Sequence, residues 1–362
     1  MNPGENFAKK STSGSVPKSP RFLCIGSATQ DVFLSRSDDF KPVDEAKIVR
    51  EKVGDGHEKI REIFREEFEF GLGDKIVVNR IDFRTGGGAN NATTTFARNG
   101  FETAFMGTIG RNDPAGVAVL RDFDREGVDT SLVSFSDKYS TDYSTLLLAP
   151  SGERTILTYR GCGIHLKEND FNATEAFAKF APDWLYVTSL AGHFEIYDEL
   201  FREAHNYGIK IAWNPGAAEL SHPEKVRALL PDVEVLSLNK EEARHLVDGD
   251  TIEILARKLK SFVPAVLVTD GINGSIAIDK TSVVRAGLYA PDAKRIDATG
   301  AGDAFASGFV AKYATGHSLK DSVHFASANS ASVVLKVGAK PGILSGREQL
   351  TPMQIDVRPA NY

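Results

Sequence analysis

The stretch richest in chemistry is Asp-Ala-Thr-Gly-Ala-Gly-Asp-Ala-Phe, residues 297 to 305. Gly300 and Gly302 flank Ala301, and an apolar run at helical spacing follows at once. Glycines adopt backbone angles closed to other residues and let a ligand approach the main chain. A helix that starts there presents free N–H groups and the positive end of its dipole, which together cradle an anion. Asp303 falls in the first turn of that helix. A carboxylate there either stabilises the helix start or takes a proton from a nucleophile attacking the bound anion. Two other phosphate motifs are excluded: Gly-x-Gly is followed by Asp-Ala-Phe with no third glycine, and no Walker A sequence occurs.

The chain has 362 residues, enough for one large α/β domain or two. With 41% hydrophobic residues, 25% charged and a net charge of −6, it reads as a soluble globular protein. The acidic balance argues against a nucleic-acid or anionic-membrane partner, so any anion site must be local. Cys24 and Cys162 are too few for a disulfide framework, which suits a reducing cytoplasm. No apolar run approaches the roughly 18 residues that read as a membrane span. Residues 1–20 are polar, rich in Gly, Ser and Pro, and lack an apolar core, so they read as a disordered leader and not a signal peptide.

Short apolar runs that resemble buried parallel strands begin near residues 22, 103, 183, 209, 233 and 264. Helical patterns lie between most of them, several closing at Gly100, Gly127 or Gly208, where a glycine can form a left-handed cap. Alternating strand and helix predict a mostly parallel sheet covered on both faces. Two regions break this rhythm. Residues 44–75 are highly charged and read as a helical insertion, followed by the strand-like Lys-Ile-Val-Val-Asn-Arg-Ile-Asp-Phe. Residues 139–165 read as two strands joined by a Pro-Ser-Gly turn. Together they predict a small antiparallel flap at the carboxyl ends of the main strands, where ligands bind in open α/β sheets.

The segment 297–305 resembles the C-terminal signature of the ribokinase-like (PfkB) family of carbohydrate and nucleoside kinases. Thr-Gly-Gly-Gly-Ala-Asn-Asn-Ala, from Thr85, resembles its N-terminal glycine-rich signature, in the same order along the chain. The resemblance implies a three-layer α/β/α kinase domain over residues 21–350, with lid segments at about 31–85 and 139–165 and a tail at 351–362. It implies that Asp303 is the catalytic base and that Gly300, Ala301 and Gly302 form an anion hole. Asp31, Gly87, Gly88 and Asn90 would bind sugar hydroxyls, and Arg160 would reach the acceptor from the flap. Without the family, Asp31 reads as a turn residue and Arg160 as a solvated charge.

For the nucleotide, the resemblance implies Asn239, Thr269, Gly271, Gly274, Ser327 and Asn329, with Ser327 standing where an asparagine is often found. Glu242 would hold Mg2+ through water, although Asn-x-x-Glu is also a good capping box. Asp297 and Thr299, with backbone carbonyls around Val333, Lys336 and Gly338, would bind K+, with Gly342 standing where some relatives carry a serine ligand. The implied activity is ATP-dependent phosphotransfer to a hydroxyl, expected to be primary, of a small sugar. The alternatives are a nucleoside kinase and a catalytically silent sugar or nucleotide binder. The expected partners are the sugar and neither nucleic acid nor membrane. The 44–75 insertion is expected to extend the lid or to form a homodimer contact.

Overall fold

The computed structural model describes residues 19–35, 45–53, 57–65, 72–73, 75–148, 154–166 and 171–360. All but the last two residues of the expected leader, and the Pro-Ser-Gly turn of the flap, lie outside them. The strands in chain order are β1 (Phe22–Ile25), β2 (Thr29–Ser35), β3 (Glu45–Val53), β4 (His57–Arg65), β5 (Arg80–Gly86), β6 (Thr103–Gly110), β7 (Asp129–Ser136), β8 (Asp142–Leu148), β9 (Arg154–Tyr159), β10 (Trp184–Val187), β11 (Lys210–Trp213), β12 (Val235–Asn239), β13 (Ala265–Thr269), β14 (Ser275–Ile278), β15 (Ser282–Ala286) and β16 (Ile355–Pro359). The helices are α1 (Gly88–Arg98), α2 (Pro114–Glu126), α3 (Ala173–Phe180), α4 (Phe194–Tyr207), α5 (Ala217–Leu220), α6 (Pro223–Leu229), α7 (Lys240–Leu246), α8 (Ile252–Leu259), α9 (Ala301–Tyr313) and α10 (Leu319–Val333).

Ten strands form the main sheet in the order β16-β15-β14-β13-β12-β11-β10-β1-β6-β7. From β13 through β7 every neighbour is parallel, and β14, β15 and β16 are added antiparallel. All four residues of β1 are buried, as a strand covered on both faces requires. Alternation divides them: Leu23 and Ile25 join a core with α3, α4, α6, α7 and α8, while Phe22 and Cys24 join one with α1, α9 and α10. Phe22 stacks on Phe96 of α1 at 4.0 Å between ring centres, fixing that helix over the central strand. The result is a three-layer α/β/α fold with a mostly parallel sheet. No described helix is long and apolar enough to cross a membrane.

A four-stranded flap, β5-β2-β8-β9, stands beside the main sheet. Its outer pairings are antiparallel, but β2 and β8 run parallel, because the chain builds β6 and β7 before returning to the flap. Two expectations are corrected. Within the 44–75 insertion, β3 and β4 form an antiparallel two-stranded sheet instead of a helix. The β-branched Ile48, Val49, Val53, Ile60 and Ile63 favour strands. The dense charge suggested a helix because cross-strand pairing leaves no local period to read. The 351–362 tail also contributes structure: β16 is an edge strand with Val357 opposite Val284, and Arg358 pairs with Glu253 at 3.1 Å. Its short length and charges suit an edge.

Candidate active site

The strand order reverses between β1 and β10: the chain runs outward from β1 through β6 and β7, then returns to build β10 to β13 on the other side. Such a switch point opens a crevice at the carboxyl ends of the strands. Close backbone approaches shape this one. A Cβ on Gly26, just after β1, would lie 2.1 Å from the Thr188 hydroxyl oxygen after β10. One on Gly87, the φ +94 residue before α1, would lie 2.5 Å from the Ser27 carbonyl oxygen. One on Gly300, at φ +75 before α9, would lie 2.3 Å from the Ala339 Cβ. Side chains are therefore excluded where the two helix N-termini converge.

Asp303 sits at that convergence. A Cβ on Gly88 would be 3.4 Å from its Oδ1, so the glycine-rich helix start lies against the carboxylate. Asn91 Nδ2 donates to Asp303 Oδ2 at 2.7 Å. Ser307 Oγ contacts both the Asp303 carbonyl at 2.6 Å and Thr95 Oγ1 at 2.9 Å, tying α9 to α1. Burial raises the Asp303 carboxyl above its ordinary range, and the Asn91 bond opposes this. Ala301 N–H donates to the Ala298 carbonyl at 3.3 Å, whereas the N–H groups of Gly300, Gly302 and Asp303 have no backbone partner among the described residues. A Cβ on Gly302 would meet nothing within 4 Å. A carboxylate of raised basicity thus stands beside open donors facing free space.

A cleft of about 210 Å³ runs from Thr269, Gly271 and Gly274 past Tyr289 and Ser327 to Ala301 and Gly302. Gly274 is obligatory there, at φ +89 with a Cβ position 2.1 Å from the Ala286 carbonyl oxygen. Asn329, expected in this cleft, is instead wholly buried between α9 and α10. Its amide donates to the Ala304 carbonyl at 2.8 Å and accepts from Leu344 N–H at 2.8 Å. Two residues along a helix turn a side chain through about 200°, and Ser327 and Ser330 face the cleft in its place. Asn239 and Glu242 form the reciprocal cap of α7, each side chain accepting from the other's N–H at 2.9 and 2.8 Å. Burial raises the Glu242 carboxyl, and the charge of Asp303 adds to the effect, so the two carboxylates feel each other across the site.

Asp297 is buried, with Oδ1 accepting from Thr299 N–H and hydroxyl at 2.9 and 2.6 Å and Oδ2 accepting from Gly338 N–H at 2.9 Å. No lysine or arginine pairs with it among the described residues, and a buried anion without a cation fits a monovalent ion held by this loop. The Val333 carbonyl meanwhile accepts from Lys336 N–H at 3.0 Å. The glycine at 342 has a steric reason: a Cβ there would lie 2.2 Å from the Ser332 carbonyl oxygen.

On the flap side of the crevice, Asp31 lies buried in β2, taking a bond from Thr29 at 3.1 Å and another from Ser144 of β8. Burial pushes its carboxyl up to about 6. Asn90 does not present its amide to the crevice: it is fully buried, donating to the Gly86 carbonyl at 3.0 Å and accepting from Lys340 Nζ at 2.9 Å. Arg160 follows β9 on an exposed edge and acts electrostatically on Asp142 rather than on Asp31. Sequence reasoning passed over Asn91, Ser144, Asp142 and Lys340. Asn91 was detectable as the second asparagine of the glycine-rich signature. Asp142 receives Gly161 and Gly163 N–H at 2.9 Å on Oδ1, while its buried Oδ2 has no partner among the described residues. Only the folded flap brings it beside Thr29.

A three-layer sheet with a switch-point crevice and an Asp beside an open helix N-terminus defines the ribokinase-fold class of kinases. Residues 58–345 match the pfkB family carbohydrate kinase model, and the chain belongs to that family: it is a carbohydrate kinase. Ribokinase of Haemophilus influenzae is 27% identical over 285 residues, covering 77% of this chain and 90% of that protein. Among solved structures, Arabidopsis thaliana ribokinase complexed with ribose and ATP superposes with a TM-score of 0.68 at 19% identity, covering 91% of this chain and 97% of the other. Adenosine kinase from Sinorhizobium meliloti does so at 0.68 and 20%, covering 91% and 98%.

Proposed function

We propose that this kinase transfers the γ-phosphoryl group of ATP to a hydroxyl, expected to be primary, of a small unphosphorylated sugar. The observation that carries the reading is the Asp303 carboxylate, held by Asn91 next to the N–H groups of Gly302 and Asp303, which have no backbone partner among the described residues. Phosphoryl transfer needs mainly positioning and charge stabilisation, and both are supplied here by rigid backbone. The cleft from Thr269 to Gly302 would seat the nucleotide with its γ-phosphoryl group at the open donors. Asp303 then accepts the hydroxyl proton as the oxygen attacks in line.

Glu242, coupled to Asp303 across the site, would hold Mg2+ through water, as suits a hard cation that keeps most of its hydration shell. That ion neutralises charge on the triphosphate when bound. Asp297 and the 333–338 carbonyls would hold K+ and so brace the loop against which Gly300 packs. Asp31, Ser144 and Thr29 would accept and donate hydrogen bonds to sugar hydroxyls from the flap. The ribokinase relative supports a pentose-sized acceptor.

A nucleoside acceptor is the second reading, favoured by Tyr143 of β8, half-buried in the flap, as a stacking surface. ADP release from Mg-ATP across a panel of free sugars, ketodeoxy acids and nucleosides, with and without K+, tests the reading. The expected result is turnover with a free sugar. Turnover with nucleosides alone would replace it by the second reading, and ATP binding without turnover would indicate a silent binder.

A further inference from the structure

Lys340 lies in the loop after α10, with its side chain only 8% exposed, and it is not part of the phosphate machinery. Its ammonium donates to Asn90 Oδ1 at 2.9 Å and pairs with the equally buried Asp122 of α2. Asp122 also accepts from Thr85 of β5 and pairs with Arg125. The backbone is fastened as well: the Lys340 carbonyl accepts from Arg98 Nη1 at 2.8 Å, and Arg98 pairs with Glu126 at 2.7 Å. One residue therefore joins the loop to α1, to α2 and, through Asp122, to the flap strand β5.

The positions of these links give them meaning. Asn90 uses its other amide atom on the Gly86 carbonyl, so the lysine bond fixes the turn from Gly86 to Gly88 at which α1 begins. A Cβ on Gly86 would lie 2.1 Å from Asp31 Oδ2, so that turn forms the wall against the Asp31 carboxylate. Thr85, the residue before it, is held by Asp122. A buried ion pair adds little net stability over an apolar pair of similar volume, so stability alone gives weak reason for one here.

We infer that Lys340 is a positioning residue for the acceptor site, acting through Asn90 and Asp122 to hold the 85–88 turn against Asp31. It does not touch the nucleotide cleft or Asp303, so its effect falls on acceptor binding. The inference rests on the acceptor site of the kinase reading above.

Replacing only Lys340 would leave the buried Asp122 carboxylate to Arg125 and Thr85 alone, so the test removes both charges together in Lys340→Met/Asp122→Leu. Steady-state kinetics with the accepted sugar should show its KM raised about tenfold or more, with the KM for ATP within twofold of the unmodified chain and kcat little altered. A general loss of structure would instead move all three along with the melting temperature. Should that variant not fold, the neutral pair Lys340→Gln/Asp122→Asn carries the test. Its shorter amide loosens Asn90, and the acceptor KM should rise at least threefold with the ATP KM unchanged. An acceptor KM within twofold of the unmodified chain, in whichever variant folds, overturns the inference alone. No acceptor-dependent ADP release by the unmodified chain overturns the kinase reading and this inference with it.

Discussion

The two sides of the crevice are built from different materials. The proposed phosphate side is mainly backbone: a left-handed Gly300, N–H groups at the start of α9 with no backbone partner among the described residues, and an open Gly302, with the Asp303 carboxylate beside them. The proposed acceptor side is a set of buried side chains: Thr85, Asn90, Asp122 and Lys340, from three separate segments, are linked by hydrogen bonds and an ion pair, and the Gly86 turn they hold lies against Asp31. The difference teaches where each property resides. Backbone donors suit a phosphoryl group that is the same for every acceptor, whereas a side-chain network can be rebuilt for a different hydroxylated acceptor without moving the main chain.

Breaking the phosphate side should have the larger effect. In Gly300→Ala the new methyl would meet Ala339 at 2.3 Å, and a left-handed alanine adds roughly 1–2 kcal/mol of strain. Relief of the clash turns the helix start away from the anion position, and a misplacement of that kind costs about 10²-fold. Steady-state assays should show that loss in kcat while the sugar KM stays within threefold. A loss confined to the sugar KM would mean that the two sides are not separable.

Breaking the acceptor side should be milder in kcat and should leave a signature in pH. Burial holds the Asp31 carboxyl at about 6 in the folded chain, above its unperturbed value of 3.8. The folded state thus binds this proton more tightly than the unfolded one. Its contribution to stability is complete below about 3.8 and is lost as pH rises through about 6. Asp31→Asn carries no charge to bury. It should raise the sugar KM while making the protein more stable than the unmodified chain at pH 7.5, by on the order of 1–3 kcal/mol. Denaturant unfolding at pH 7.5 and pH 4 checks this, the advantage shrinking at the lower pH. An equal difference at both would show that Asp31 is not ionised at a cost.

The same contrast governs how much could be read from the sequence. In the main sheet β1, β6 and β10 to β13 were legible as apolar runs, whereas the half-exposed β7 was not, and Gly127 and Gly208 cap their helices in the left-handed conformation as read. The glycine turn that opens α9 was legible too, because a glycine turn before a helix is local in sequence. The acceptor side was not: Lys340 and Asn90 are 250 residues apart, and neither reveals the other. The same non-locality turned the charged 44–75 segment into an apparent helix, although its strands pair Glu51 with Lys59 and Lys52 with Glu58 in register. Asn329 failed for a different reason. A family position displaced by two residues moves to another face of α10, where the Ala304 carbonyl and Leu344 N–H claim it.

In the proposed reaction Asp303 removes the acceptor proton beside an open helix N-terminus. Single-turnover ADP formation by Asp303→Asn, at saturating Mg-ATP and accepted sugar, tests it most directly, with nucleotide affinity measured on the same sample. The expected result is unaltered ATP binding and a rate lower by about 10²–10⁴-fold, the span of a lost general base. A rate within tenfold of the unmodified chain would contradict it and assign Asp303 to the helix start alone.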